Sequence, residues 1–144
     1  MKVLFITGGC GFIGVNFVRY WRKHHPEDFI INYDVLTYAG IRERQQDLES
    51  GKHYRFVRGN ILDRELLNRI FSGHVEGVPK PDQIVHFAAE THVDRSIADP
   101  ELFARTNVLG TQTLLEAARR HGNIRFHHIS TDEVFGSLEA NDLP

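Results

Sequence analysis

The amino-acid sequence predicts an α/β fold, a doubly wound parallel sheet of about five strands with helices on both faces. Three observations predict it. Short continuous apolar runs alternate with amphipathic stretches along the chain, the pattern of strands buried on both faces between crossover helices. The first run, Val3 to Ile6, passes directly into the glycine-rich segment Thr7-Gly8-Gly9-Cys10-Gly11-Phe12-Ile13-Gly14, which opens a helical pattern. The second run, Phe29 to Tyr33, ends on an acid, Asp34, twenty residues beyond Gly14.

Strands are expected at 2–7, 29–34, 53–58, 82–88 and 124–130, and helices near 12–24, 40–49, 63–71 and 100–121. The first helix carries Ile13, Phe17, Val18 and Trp21 on one side. It ends in Arg22, Lys23, His24 and His25, cations that complement the negative end of its dipole. Pro79-Lys80-Pro81 holds an extended loop before the fourth strand. Asp99-Pro100-Glu101 reads as N-cap, first-turn proline and an acid suited to the dipole, and Gly122 stops that helix after Arg119, Arg120 and His121. Ile124 to Ile129 supplies the last apolar run. Right-handed crossovers then place ligands at the carboxyl ends of the strands.

The glycines fit two related spacings, G-x-G-x-x-G through Gly9, Gly11 and Gly14, and G-x-x-G-x-x-G through Gly8, Gly11 and Gly14. In either, the first glycines allow a tight turn and close backbone approach to a pyrophosphate, and the last lets helix and strand pack. Free N–H groups and the positive dipole end attract the phosphates. An ordinary flexible turn is the plainer alternative, and the context argues against it: an acid at Asp34 suits both hydroxyls of an adenosine ribose and repels a 2′-phosphate. A dinucleotide site is expected, for NAD rather than NADP.

Just beyond the last run, Thr131-Asp132-Glu133 places two carboxylates side by side. Neighbouring acids repel when both are ionised, which can divide them into a general acid and a general base. On its own, such a pair is equally at home on a solvated loop.

At 144 residues the chain suits one domain with a real core. Seventeen basic and nineteen acidic side chains give a net charge of −2, and neither balance nor clustering points to nucleic acid or a membrane surface. The single cysteine excludes an internal disulfide and suits a reducing cytoplasm. Cys10 sits where a helix N-terminus can stabilise a thiolate, though a small residue filling a tight turn explains it as well. Met1-Lys2 leads into too few apolar residues for a signal peptide or membrane span. Nine histidines show no ligand spacing, so no metal is expected. His127 and His128, adjacent on a strand, face opposite sides.

Taken together, Gly8 to Gly14, Asp34-Val35-Leu36-Thr37-Tyr38-Ala39-Gly40, His86 to Ile97, Thr106 to Thr111 and Thr131-Asp132-Glu133 resemble the extended short-chain dehydrogenase/reductase superfamily, and within it the family of dTDP-glucose 4,6-dehydratases. The likeness spans nearly the whole chain. It implies that Phe12 and Ile13 contact the cofactor pyrophosphate and that Asp34, Val35, Leu36 and Thr37 hold the adenosine ribose. It implies that Asn60 and Ile61 meet the adenine, and that Phe87, Ala88, Ala89, Glu90 and Thr91 line the cofactor channel with Thr106. Thr91 and Thr131 would touch the sugar, Asp132 would donate and Glu133 accept the protons of the elimination. Asn60, Thr91 and Phe135 stand where the family usually has aspartate, serine and tyrosine.

The implied activity is NAD-dependent loss of water from a nucleotide-activated hexose, dTDP-glucose, to the 4-keto-6-deoxy sugar. A homodimer through a helix bundle and a cytoplasmic location are implied with it. The superfamily also uses a tyrosine followed four residues later by a lysine. Here Tyr20, Tyr33, Tyr38 and Tyr54 are followed by His24, Thr37, Arg42 and Arg58. The expectation is therefore an incomplete NAD-binding domain over 1–144, the N-terminal part of a longer enzyme whose sugar-nucleotide lobe lies elsewhere. The alternatives are a UDP-sugar epimerase or decarboxylase of the same superfamily, or a catalytically silent NAD-binding module.

Overall fold

The computed structural model describes residues 1–49 and 51–137. Five parallel strands form one sheet: β1 (Val3–Thr7), β2 (Phe29–Asp34), β3 (Tyr54–Arg58), β4 (Gln83–His86) and β5 (Arg125–His128), in the order β3-β2-β1-β4-β5. The predicted fold class is the observed one. β1 lies at the centre, with Leu4 opposite Ile30 on one side and Gln83 on the other.

All five residues of β1 are buried, because alternate side chains feed two separate cores. Phe5 and its neighbour Val3 join Ile31, Tyr33, Leu67, Ile70, Phe71, Ile84 and Leu114 on one face. There the Phe5 ring lies 5.0 Å from both Tyr33 and Phe71. Leu4 and Ile6 join Val18, Ile30, Leu48, Tyr54 and Val85 on the other, packed under Phe17 and Trp21. Helix α1 (Phe12–His24) therefore covers one face, and α3 (Arg64–Phe71) with α6 (Thr111–Arg120) the other.

The punctuation behaves as its chemistry requires. Asp63 caps α3 by accepting from Leu66 N at 3.0 Å, and Asp99 caps α5 (Pro100–Phe103) by accepting from Leu102 N at 3.1 Å. Beyond α6 the chain turns through Gly122 at φ +117° and Asn123 at φ +53°.

Four expectations are corrected in detail. The stretch near 40–49 is a 3₁₀ turn (Arg42–Gln45) followed by the single-turn helix α2 (Gln46–Glu49). The 100–121 helix contains a π-helical segment, Ala104–Gly110, between α5 and α6. Strand β5 is an edge strand with exposed Arg125, His127 and His128 rather than a fully buried run. A short helix α4 (Val93–Ala98) follows β4, where none was expected.

Candidate dinucleotide site

The chain leaves β1 toward β2 and leaves β4 toward β5, so the loops after β1 and β4 diverge and open a cleft at the carboxyl edge of the sheet. Gly8, Gly11, Tyr33, Asp34, Val35 and Thr37 line it, as do Ala39, Gly40, Gly59, Asn60 and Ile61; Phe87, Ala88, Ala89, Glu90, Leu102 and Thr106 complete the wall.

The glycine loop is held from below. Gly8 N donates to Tyr33 O at 2.9 Å and Gly11 N to Gly8 O at 3.1 Å. Three of its glycines serve the protein's own packing. Gly8 has φ +68°, and a Cβ there would lie 2.7 Å from Ala88 N. A Cβ on Gly9 would run into the Asn32 side chain, and one on Gly14 would meet Gly8 O and come within 2.8 Å of Gly9 Cα. Gly11 is different: its nearest neighbour would be Gly8 O at 3.3 Å, and its remaining side is open. Its φ of −73° suits any residue; glycine here is an accepted N-cap for α1, spares a tight approach to Gly8 O, and leaves the cleft side bare. Both sequence spacings are therefore in use at once.

Helix α1 starts at Phe12 with no side-chain cap and no acid in its first turn. Its first N–H groups lack intrahelical partners, a combination that welcomes an anion. Phe12 and Ile13 are exposed and lie outside the cleft lining.

Asp34 is buried at the end of β2. Oδ2 accepts from Cys10 N at 2.9 Å, and Oδ1 accepts from Leu36 N at 2.8 Å. One carboxylate thus ties the glycine loop to the Val35–Gly40 turn. Leu36 pays for that turn with φ +60°, and a Cβ on Gly40 would come within 2.9 Å of Asp34 Oδ1. On the same side, Tyr33 Oη donates to Asn60 O at 2.8 Å, and Leu62 N donates to Asn60 Oδ1 at 2.9 Å. The Asn60 amide keeps its N–H₂ and one lone pair for a ligand.

The opposite wall is the loop after β4. Ala88 N donates to Thr7 Oγ1 at 3.2 Å. Asn107, from the π-helical segment, grips Glu90 by its backbone: Glu90 N donates to Asn107 Oδ1 and Asn107 Nδ2 donates to Glu90 O, both at 2.8 Å. The same segment sends Thr106 into the cleft lining. Glu90 Oε2 is buried without a partner among the described residues. A buried carboxylate oxygen in that state fits a ligand bearing hydrogen-bond donors, as a dinucleotide does through its hydroxyls and amides.

Of the residues singled out in the sequence, Gly8, Gly11, Asp34, Val35, Thr37, Asn60, Ile61, Phe87, Ala88, Ala89, Glu90 and Thr106 converge on the cleft. Gly14 and Leu36 shape it from behind, and Thr91 is exposed outside its lining. Thr131, Asp132 and Glu133 sit on an exposed 3₁₀ turn after β5, on the same edge of the sheet but not in the lining. Glu133 N donates to Thr131 Oγ1 at 3.1 Å and Thr131 Oγ1 donates to Asp132 Oδ1 at 3.2 Å.

Sequence reasoning missed Tyr33, Ala39, Gly40, Gly59 and Leu102 as lining residues. Gly59, directly before Asn60, carried a readable signal; Tyr33, inside a buried strand, carried none. Burial, and next the charge of Asp34, push the Cys10 thiol up to about 12, which keeps it protonated and favours the space-filling reading over a reactive thiolate. Among the described residues, His25, Glu27 and Asp28 bring ligand-type atoms within 4.8 Å of one another. Asp28, however, already accepts from Lys2 N and Trp21 Nε1. No described helix is long and apolar enough to cross a membrane.

Sheet order, glycine loop and cleft define a doubly wound domain of the Rossmann class. The chain belongs to the GDP-mannose 4,6 dehydratase family, whose model matches residues 5–143. It is 51% identical over 139 residues to a dTDP-glucose 4,6-dehydratase of Mycobacterium tuberculosis, covering 96% of this chain and 39% of that protein. It is 45% identical over 151 residues to dTDP-glucose 4,6-dehydratase 1 of Escherichia coli, covering 99% of this chain and 40% of that protein. Among solved structures, the dTDP-glucose 4,6-dehydratase DesIV of Streptomyces venezuelae, determined with NAD bound, superposes with a TM-score of 0.86 at 46% identity. That match covers 99% of this chain and 43% of DesIV. The 144 residues thus span about two fifths of the length of these relatives.

Proposed function

We propose that this chain forms the NAD-binding domain of a dTDP-glucose 4,6-dehydratase. The observation that carries the proposal is the convergence on one cleft of an open Gly11, an acidic Asp34 and a buried Glu90 oxygen with no partner among the described residues. That arrangement accepts phosphates at its centre and donors at either side, and its acid disfavours a 2′-phosphate. The tyrosine–lysine pair, absent from the chain, and the sugar-nucleotide lobe are assigned to the part of the relatives' length that the chain does not cover.

NAD, which Gly11, Asp34, Asn60 and Glu90 would hold, would supply reversible hydride acceptance to the sugar. A C4 ketone acidifies the neighbouring C5 proton, which Glu133 removes. Asp132 protonates the C6 hydroxyl, which departs as water. Thr131 Oγ1 donates to Asp132 Oδ1 and accepts from Glu133 N, which ties the Asp132 carboxylate to the backbone of the turn that carries Glu133. A positioned acid or base contributes on the order of 10²- to 10⁴-fold per proton transfer. An epimerase or decarboxylase of the superfamily has no C6 elimination to catalyse and no use for this pair.

Exposed Val93, Ile97, Val108, Leu109 and Leu115 along α4 to α6 support a homodimer through that helical surface. Titration calorimetry with NAD and NADP tests the cofactor, with NAD expected to bind more tightly. Assay of the full-length protein with dTDP-glucose tests the reaction: a 4-keto-6-deoxy product supports it, and C4 epimerisation or decarboxylation without it refutes it.

A further inference from the structure

Between the glycine loop and the helical wall lies one buried imidazole that the proposed chemistry does not use. His86, at the end of β4, is 1% exposed. Its Nδ1 lies 2.6 Å from Thr7 Oγ1 and its Nε2 lies 3.0 Å from Thr111 Oγ1. Both hydroxyls have further partners: Thr7 Oγ1 accepts from Ala88 N, and Thr111 Oγ1 donates to Asn107 O at 2.7 Å.

These contacts fix the direction of every bond. Having given its proton to Asn107 O, the Thr111 hydroxyl can only accept from His86, so Nε2 carries a hydrogen. The proton of the Thr7 hydroxyl has Nδ1 as its one described partner, so Nδ1 is bare. The chain runs from Ala88 N–H to Thr7, from Thr7 to His86, from His86 to Thr111 and from Thr111 to Asn107 O. Each donor in it is spent once, which a neutral ring alone permits.

What this chain joins is three walls of the cleft. Thr7 ends β1 and introduces the glycine loop; Ala88 is the residue against which Gly8 is backed; Thr111 and Asn107 belong to the helical run that carries Thr106 and grips Glu90. We infer that His86 is a positioning residue, which through Thr7 and Thr111 holds the Ala88–Glu90 wall of the dinucleotide cleft in register with the glycine loop. The inference rests on the dinucleotide reading above. His86 touches no ligand itself.

The test uses the full-length protein. Nitrogen-15 NMR should find His86 neutral with the proton on Nε2 at neutral pH; a ring protonated on Nδ1, or an imidazolium, overturns the chain. His86→Phe cuts it at the centre, and Thr111→Val cuts it at the far end with little change in shape, should the first variant not fold. Each should speed exchange of the Ala88 amide hydrogen without ligand and weaken NAD by about tenfold, while Thr111→Ser stays within about twofold of wild type. Variants that lose thermal stability yet keep Ala88 protection and NAD affinity mark a merely structural histidine and overturn the inference. If the wild-type protein binds no NAD, the dinucleotide reading falls, and positioning for that ligand with it. The exchange experiment then still decides whether the ring holds the wall.

Discussion

Gly11 and Gly14 look alike in the sequence and differ in what a side chain would meet. Gly14 backs onto Gly8 O and Gly9 Cα, whereas Gly11 faces the open cleft. Gly11→Val should therefore lower the melting temperature less than Gly14→Val does, and abolish NAD binding by calorimetry. Gly14→Val should lower the melting temperature itself, through the 1–3 kcal/mol or more typical of overpacking. Equal thermal effects from the two would contradict this division. Asp132 and Glu133 make the second residue-scale prediction. On the proposed reading, Asp132→Asn and Glu133→Gln in the full-length protein should slow elimination more than the first hydride transfer. Absorbance of reduced nicotinamide would then persist while the 4-keto-6-deoxy product fails to accumulate; equal loss of both steps would assign the pair a structural role.

Among the elements, the π-helical segment Ala104–Gly110 braces one wall of the cleft, placing Thr106 in its lining while Asn107 reaches back to Glu90. Gly110 ends it because a Cβ there would collide with Ile61, whose Cγ1 would lie 2.7 Å away. Ile61 is itself a buried wall of the cleft. Alanine at a helical glycine ordinarily gains about 1 kcal/mol, but overpacking costs about 1–3 kcal/mol. Gly110→Ala should be net destabilising in urea unfolding and should weaken NAD, and a stabilised variant would show that Ile61 yields freely. A one-residue shift of helical register was not legible, since apolar spacing survives it. Helix α4 was missed for a different reason: Val93 and Ile97 are 69% and 79% exposed, so no buried stripe announces it.

On the scale of the whole molecule, His86 couples stability to pH. Burial, with the neighbouring His128 second, pushes it down to about 4 from its ordinary 6.5. Between those values the unfolded chain binds a proton that the folded chain refuses. Stability is thus fully present above about pH 6.5 and is lost as pH falls toward 4, by up to about 3 kcal/mol from this group. Urea denaturation at pH 7 and pH 5 should show the loss, and His86→Gln should flatten it. A wild-type slope retained in that variant would assign the effect elsewhere. The isolated 144-residue polypeptide, having no tyrosine–lysine pair, should show no dehydratase turnover with NAD and dTDP-glucose. Its edge strand β5 and exposed Val93, Ile97, Val108, Leu109 and Leu115 should make it self-associate in sedimentation; a soluble, active monomer would contradict both.

The sequence by itself determined the order of the five strands and the longer helices between them, the glycine loop and the acid at the end of β2. Each of these is written in adjacent residues, because periodic burial, a left-handed turn and a helix cap act over one or two turns of chain. Only the tertiary structure decided which glycine faces the cleft and which faces the protein, since that depends on Ala88 and Asn32 arriving behind the loop. It alone joined His86 to Thr7 and Thr111, 79 and 25 residues away, and Glu90 to Asn107, 17 residues away. Hydrogen bonds of that span leave no local pattern. They exist because the parallel sheet brings the ends of β1 and β4 side by side and packs one helical run across them.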